Sequence, residues 1–226
     1  GWAAFHDGMK AAPAADLPGY AVARPAEGGW NPGDALRSGF LAPRATLRHP
    51  RSGDAWVLCE CRWTGAGLAP RVSGWTPTDE LDCAGAASEA AHAYRAFMFG
   101  PDARPTPLLH VLPDPAAGGL VGDGGWLTDG GESFQVSARP GTPLAILMRT
   151  RTERTTAIET TVNGGPPETI PLLADPGRFQ AVLVAQAPGE QVRSVNTVSV
   201  RLAPIAPTGG DSYASYHYWI LQPTAR

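Results

Sequence analysis

The chain has 226 residues, of which 43% are hydrophobic and 17% charged, enough for one large or two small hydrophobic cores. A formal net charge of −3 gives no electrostatic reason to expect nucleic acid or an anionic membrane as partner. The 27 glycines and 23 prolines follow no collagen period and lie among apolar strand-like runs, so they imply many turns rather than disorder. No apolar run reaches the roughly 18 residues a membrane-spanning helix needs, so no transmembrane segment is expected. Lys10 is the only lysine, and the chain opens Gly1-Trp2-Ala3-Ala4-Phe5 without a methionine. That start reads as a mature or trimmed N-terminus and raises the expectation of a secreted, periplasmic or cell-surface protein.

Residues 1–35 are rich in Ala, Pro and Gly, and only Phe5–Ala15 has the makings of a short helix, which Pro13 would disturb. Ala42–Leu47 and Ala55–Trp63 read as strands joined by a loop of turn formers, and a third short strand is expected over Leu68–Trp75. The alanine-rich Asp82–Arg95 is the helix candidate, with Asp82 or Ser88 as cap. Phe97–Pro115 is a hydrophobic connector broken by prolines; only Leu108–Leu112 can pair, and then at a sheet edge.

Eight strands follow at short intervals: Gly125–Thr128, Ser133–Ala138, Leu144–Arg149, Ala157–Val162, Thr169–Leu173, Phe179–Ala185, Val195–Leu202 and Tyr213–Leu221. In the fourth, Ile158, Thr160 and Val162 share one face and Glu159 and Thr161 the other, the mark of a half-buried strand. Asn163-Gly164 follows it and supplies the positive φ angles of a tight hairpin. Glu159, in such a hairpin, reads as a solvated sheet-face residue. The expected fold is mostly β: an antiparallel β-sandwich, jelly-roll or immunoglobulin-like, over residues 116–226, preceded over residues 1–115 by a β-rich region with one short helix near 82–95.

The run Ile158–Gly164, then Ile170–Leu172, Phe179–Val184 and Val195–Val200, resembles galactose-binding-like jelly-roll modules, which carry a V-x-V-N-G hairpin followed by G-x-N-x-I-x-V. Here the hairpin reads ETTVNG, and Val195 stands where the second motif has glycine. The resemblance covers at most the last hundred or so residues, and it implies a carbohydrate-binding module. A vaguer likeness joins Ala87–Arg95 and Tyr216–Gln222 to the segments that bracket the extracytoplasmic β-domain of some bacterial membrane-anchored sugar-transfer proteins.

Candidate chemistry is sparse. Cys59 and Cys61 share a strand face, with Cys83 and His92 further on. The set suits a Cys3His zinc site, a single disulfide such as Cys61–Cys83, or free buried thiols. Ser88 and His92 are four apart on the helix candidate, but no carboxylate is evident to orient the histidine. Gly210-Asp211-Ser212 matches a lipase-like tripeptide yet lies before a closing strand instead of opening a domain, and Gly-x-Ser-x-Gly is absent. Gly118–Gly131 is no phosphate loop; it reads as a flexible loop, or as one in which Asp123 and Asp129 hold a structural calcium. No other cofactor is implied. Sugar sites pair an aromatic platform with a few fixed polar groups, and Trp126, Tyr216, His217, Tyr218 and Trp219 are the candidates for that platform. Within the last strand, His217 and Trp219 are expected on one face and Tyr216 and Tyr218 on the other. Three readings therefore stand: first a non-catalytic exported module that binds cell-envelope or extracellular carbohydrate, then a structural or assembly subunit that meets other proteins, and last an enzyme of unrecognised type with its site where the two halves join.

Overall fold

The structure, a computed structural model, describes residues 20–23, 41–48, 55–61, 69–83, 85–99, 105–203 and 212–224. The expected helix over 5–15 and the Gly210–Asp211 pair lie outside them. Strands β1 (Tyr20–Ala23), β2 (Leu41–Arg48) and β3 (Ala55–Cys61) form an antiparallel three-stranded sheet in the order β1-β3-β2. The β2–β3 hairpin is the pair expected from the turn formers between them, and a bulge after Pro43 absorbs the proline.

Two larger sheets make the sandwich. Its strands are β4 (Trp75–Asp82), β5 (Arg95–Phe97), β6 (Thr106–Asp114), β7 (Gly119–Thr128), β8 (Gly131–Ser137), β9 (Leu144–Arg151), β10 (Thr156–Val162), β11 (Glu168–Leu172), β12 (Gln180–Ala187), β13 (Val195–Leu202) and β14 (Tyr213–Pro223). The smaller sheet runs β11-β10-β13-β8-β5 and the larger β12-β9-β14-β7-β6, with β4 also paired to β14. Every pairing is antiparallel, and from β8 onward the chain passes repeatedly between the sheets, as in a jelly roll. The sheets begin at Trp75, well before the expected division at 115: β4, β5 and β6 all belong to the sandwich. The strand expected over Leu68–Trp75 is correspondingly displaced to β4.

The common core explains the alternation. Phe134, Val136, Ile158, Val198 and Val200 from the smaller sheet meet Leu81, Ile146, Met148, Tyr218 and Ile220 from the larger one. In β10 the buried residues include Ile158, Thr160 and Val162, as the period-two pattern requires, while Glu159 is half-buried rather than fully solvated. The Asn163-Gly164 turn has φ of 54° and 72°, and the Gly165 amide donates to the Val162 carbonyl at 2.9 Å. Asn163 does more than turn the chain. Its Nδ2 donates to Asn196 Oδ1 at 2.9 Å, and its Oδ1 accepts from the Thr197 amide at 2.9 Å.

The helix is shorter than its alanine content suggests. Helix α1 covers Ala86–Ala91 only, because Ala93 takes a positive φ of 48° and the His92 carbonyl accepts from Gln135 in β8. Arg95–Phe97 then joins the sheet edge as β5, tertiary pairing overriding helix propensity. The proline-flanked β6 is an edge strand, as proline's missing donor demands.

The glycine-rich run is not a loop. Gly119–Thr128 is strand β7, and its glycines allow close approach. A Cβ on Gly125 would overlap the Ser215 carbonyl in β14 and press on the Tyr216 ring. Gly125→Ala should therefore cost about 3 kcal/mol or more, because the obstruction is backbone that no rotamer change relieves. Urea unfolding checks this; a midpoint within error of the parent would refute the close approach.

Candidate functional site

The closing strand β14 is buried on both faces. Tyr216, His217, Tyr218 and Trp219 are all within 1% of full burial, so none offers a ring to a ligand at the surface. The expected face assignment also changes. A bulge between Ser215 and His217 shifts the register against β9. Tyr216 consequently packs with Phe179 and Val121, whereas Tyr218 packs against Phe134, with ring centroids 4.5 Å apart, in the common core. Both faces are covered, and the aromatics act as core.

Trp126 is half-buried and packs against the same core. Its indole Nε1–H donates to Glu89 of α1 at 2.7 Å. Burial raises the Glu89 carboxyl to about 7, partly offset by that hydrogen bond. Asp123 and Asp129 do not form a pair. Asp129 is half-buried and accepts from the Phe99 amide at 2.9 Å, organising the turn before β8. Asp123 instead enters a buried network on the outer face of the larger sheet.

Arg149 is the centre of that network. Its Nε donates to Asp114 Oδ2 at 2.8 Å and its Nη1 to Asp123 Oδ2 at 2.6 Å. The guanidinium lies 4.7 Å from the Trp219 ring centroid and 5.6 Å from that of Phe179. His217 stacks on the other part of the same system, 4.8 Å from Trp219 centroid to centroid. Asp114 also fixes the β6–β7 turn, since its Oδ1 accepts from the amides of Ala116 and Ala117. Burial lifts the Asp123 carboxyl to about 6 even against the opposing pull of Arg149.

A second buried carboxylate spans the sandwich. Glu132 of β8 accepts from Ser215 Oγ and, at 2.7 Å, from the Tyr218 hydroxyl, both on β14 of the opposite sheet. Complete burial pushes its carboxyl up to about 7, and hydrogen bonds from Ser215 and Tyr218 only partly counter that.

The remaining candidates resolve into structural roles. Cys83 is a free, buried thiol, so the expected Cys61–Cys83 bridge is not made; burial raises its pKa well above the ordinary value. Its amide donates to the Tyr216 carbonyl at 3.0 Å. His92 cannot join a cysteine site or activate Ser88. Its Nδ1–H donates to the Ser88 carbonyl at 2.7 Å and its Nε2 faces Asp79 at 3.2 Å, while Ser88 Oγ accepts from the Asp82 amide. The carboxylate missing from the sequence reading is thus Asp79, and it orients a histidine that points away from the hydroxyl.

Sequence reasoning missed the exposed aromatics. Phe97 is 40% and Phe99 68% exposed at the β5 edge of the smaller sheet. Arg95 and Phe97 share the outward side of β5, and Arg95 lines a depression of about 310 Å³ with Glu89 and Tyr94. Phe97 and Phe99 sit in the proline-broken connector, where period-two patterning gives no signal.

No protein-family model matches the chain, and no curated protein matches it by sequence. Among solved structures it is similar to a family 35 carbohydrate-binding module from Clostridium thermocellum, at 13% identity and TM-score 0.39 over 65% of this chain and 97% of that one. It is also similar to a carbohydrate-binding module of Cellvibrio mixtus lichenase 5A in complex with cellotriose, at 10% identity and TM-score 0.38 over 67% and 100%. The Podospora anserina GH26-CBM35 β-(1,4)-mannanase matches at 15% identity and TM-score 0.39 over 69% of this chain, which spans only 29% of that enzyme. At such scores these likenesses decide neither family nor ligand.

Two outcomes follow from the buried charges. Arg149→Met should destabilise by about 3–5 kcal/mol, because two buried aspartates lose their cation, and adding Asp114→Asn and Asp123→Asn should recover most of that loss. Denaturant unfolding of the single and triple variants tests this; equal stabilities would show that packing, not charge, is at stake. Glu132 carries the second. Its folded pKa lies above the unfolded value, so the native state holds a proton that the unfolded chain releases between pH 4.5 and about 7. Its contribution is therefore fullest below pH 4.5 and is lost as pH rises to 7, by a few kcal/mol at about 1.4 per pH unit. Buried His110, lowered to about 4, acts in the opposite sense below pH 6.5. Comparing the parent with Glu132→Gln isolates the carboxyl: the parent should gain on the variant as pH falls from 7.5 to 5, and parallel melting curves would contradict it.

Proposed function

We propose that the chain is a non-catalytic β-sandwich module that binds carbohydrate, acting outside the cytoplasm on cell-envelope or extracellular glycan. The observation that carries this reading is the exposed pair Phe97 and Phe99 at the β5 edge, a strand whose first residue, Arg95, also lines a depression with Glu89 and Tyr94. A sugar ring offers an apolar face and a rim of hydroxyls; exposed phenyl rings suit the first, and a carboxylate and guanidinium suit the second. The non-catalytic part is supported by where the other reactive groups lie. Glu132 is sealed between the sheets, and Asp114 and Asp123 are bound to Arg149 beneath the surface.

The assembly-subunit reading draws on other features. Leu173 beyond β11 and Leu183 on β12 are exposed at the far edges of the two sheets, where strand addition by a partner chain is open. Among the described residues no helix is long and apolar enough to cross a membrane.

A glycan array followed by affinity electrophoresis separates the two. The intact chain should run as a monomer and be retarded by at least one polysaccharide. The Phe99→Ala variant should lose at least about tenfold in affinity, some 1.4 kcal/mol, with its melting temperature unchanged because that ring is 68% exposed. Absence of binding across plant, fungal and bacterial glycans, with oligomers in light scattering, would overturn the carbohydrate reading in favour of assembly.

A further inference from the structure

β14 has two partners on one side. Tyr213–Ser215 pair with β7, and His217–Pro223 pair with β4, so the larger sheet forks at Tyr216. Three side chains converge at the fork. His217 and Asp82 are directly opposed in the β14–β4 register and so share a face, and Asp123 comes from β7. One ligand atom from each lies within 4.8 Å of the other two.

His217 marks the fork as more than an acidic cluster. Its side chain is fully buried, and neither Nδ1 nor Nε2 has a hydrogen-bond partner. A buried imidazole with both nitrogens idle forgoes the hydrogen bonds such groups almost always make. The nearest carboxylate beyond the trio, Glu80, stands 3.8 Å from Nε2, outside hydrogen-bond range. Two carboxylates, Asp114 and Asp123, already meet the guanidinium of Arg149, and Asp82 adds a third carboxylate on the His217 side of Asp123. Arg149 occupies Asp123 Oδ2, which leaves the other carboxylate oxygen for a second cation.

We propose that the fork binds a divalent transition-metal ion, of which zinc is the type, through Asp82, Asp123 and His217. An imidazole nitrogen with two carboxylate oxygens suits zinc or manganese better than calcium, which takes six to eight oxygen ligands. Ligand atoms around a tetrahedral zinc stand about 3.4 Å apart, so a trio already within 4.8 Å needs only a small closure on loading. Asp82 is half-exposed, and the side chain of Glu80 reaches solvent, giving the ion a route in. The ion would pin together β4, β7 and β14 where the sheet divides.

The test uses the full chain, stripped with a chelator and dialysed separately against Zn²⁺, Mn²⁺ and Ca²⁺. Elemental analysis should find about one Zn²⁺ per chain, accompanied by a rise in melting temperature as a native-state ligand must produce. Asp82→Asn, at a half-exposed position, should keep the apo melting temperature and weaken zinc binding at least tenfold; His217→Gln should abolish it. Should His217→Gln fail to fold, the visible spectrum of the Co²⁺-loaded parent decides, with nitrogen and oxygen ligation expected. Absence of stoichiometric metal in the parent, unchanged affinity in Asp82→Asn, calcium binding as tightly as zinc, or a thiolate charge-transfer band would each overturn the assignment.

Discussion

β14 is an interior strand with no wet face, and the sandwich is arranged to meet that condition. A strand buried on both sides would ordinarily be apolar throughout. This one carries Ser215, Tyr216, His217, Tyr218 and Gln222, and all are buried. Four of these find partners on other elements: Ser215 and Tyr218 on Glu132, Tyr216 on His110 through a 2.6 Å hydrogen bond, Gln222 on Arg139 and Thr142. The two buried carboxylate systems follow from this. Glu132 serves the inner face and crosses the sandwich; the Arg149 network serves the outer face and stays within one sheet.

These groups give specificity more than strength. Burying charge costs several kcal/mol per ion, and good geometry does little better than repay it. What the arrangement fixes is register. If β14 slipped by one residue, Ser215 and Tyr218 would leave Glu132, and His217 would leave the face it shares with Arg149 and Trp219. The bulge at Tyr216 has a similar role, since it lets β14 serve β7 with one face pattern and β4 with the other.

The strands from β8 onward were legible in the sequence, β9 and β14 as unbroken apolar or aromatic runs and others by alternation. β10 and β13 alternate, and Asn163-Gly164 demands one turn type, so these elements were readable within a residue or so. β4 was misplaced because Trp75–Asp82 carries Pro77 and five polar or charged residues, looking like a loop until β14 pairs with it. Glycine-rich β7 hid for the opposite reason: its side chains are missing where Ser215 and Tyr216 come close. At the site level, aromatic content alone misled. Trp219 and Tyr218 are large because they fill core, while Phe97 and Phe99 are exposed only because β5 is a sheet edge, a fact no local pattern carries. Asp123 was picked out for its charge, but its partners Arg149, Asp82 and His217 come from three other strands and could not be assembled from spacing.

The position of β14 in the sheet also bears on how the molecule comes to be folded. It lies between β9 on one side and β7 and β4 on the other, yet it comes after all three in the chain and last among the described strands. Until it arrives, the two halves of the larger sheet have nothing to pair with across the middle, and Glu132 lacks the hydroxyls of Ser215 and Tyr218. Most contacts that define the sandwich thus join residues far apart in sequence, which places the fold among slow, high-contact-order topologies. A nascent chain would wait with β9 and β7 as open edges, a state prone to wrong pairing. The charges buried beside β14 then act as a check on closure, since among the described strands no other presents a histidine and a tryptophan in the spacing that Arg149 receives.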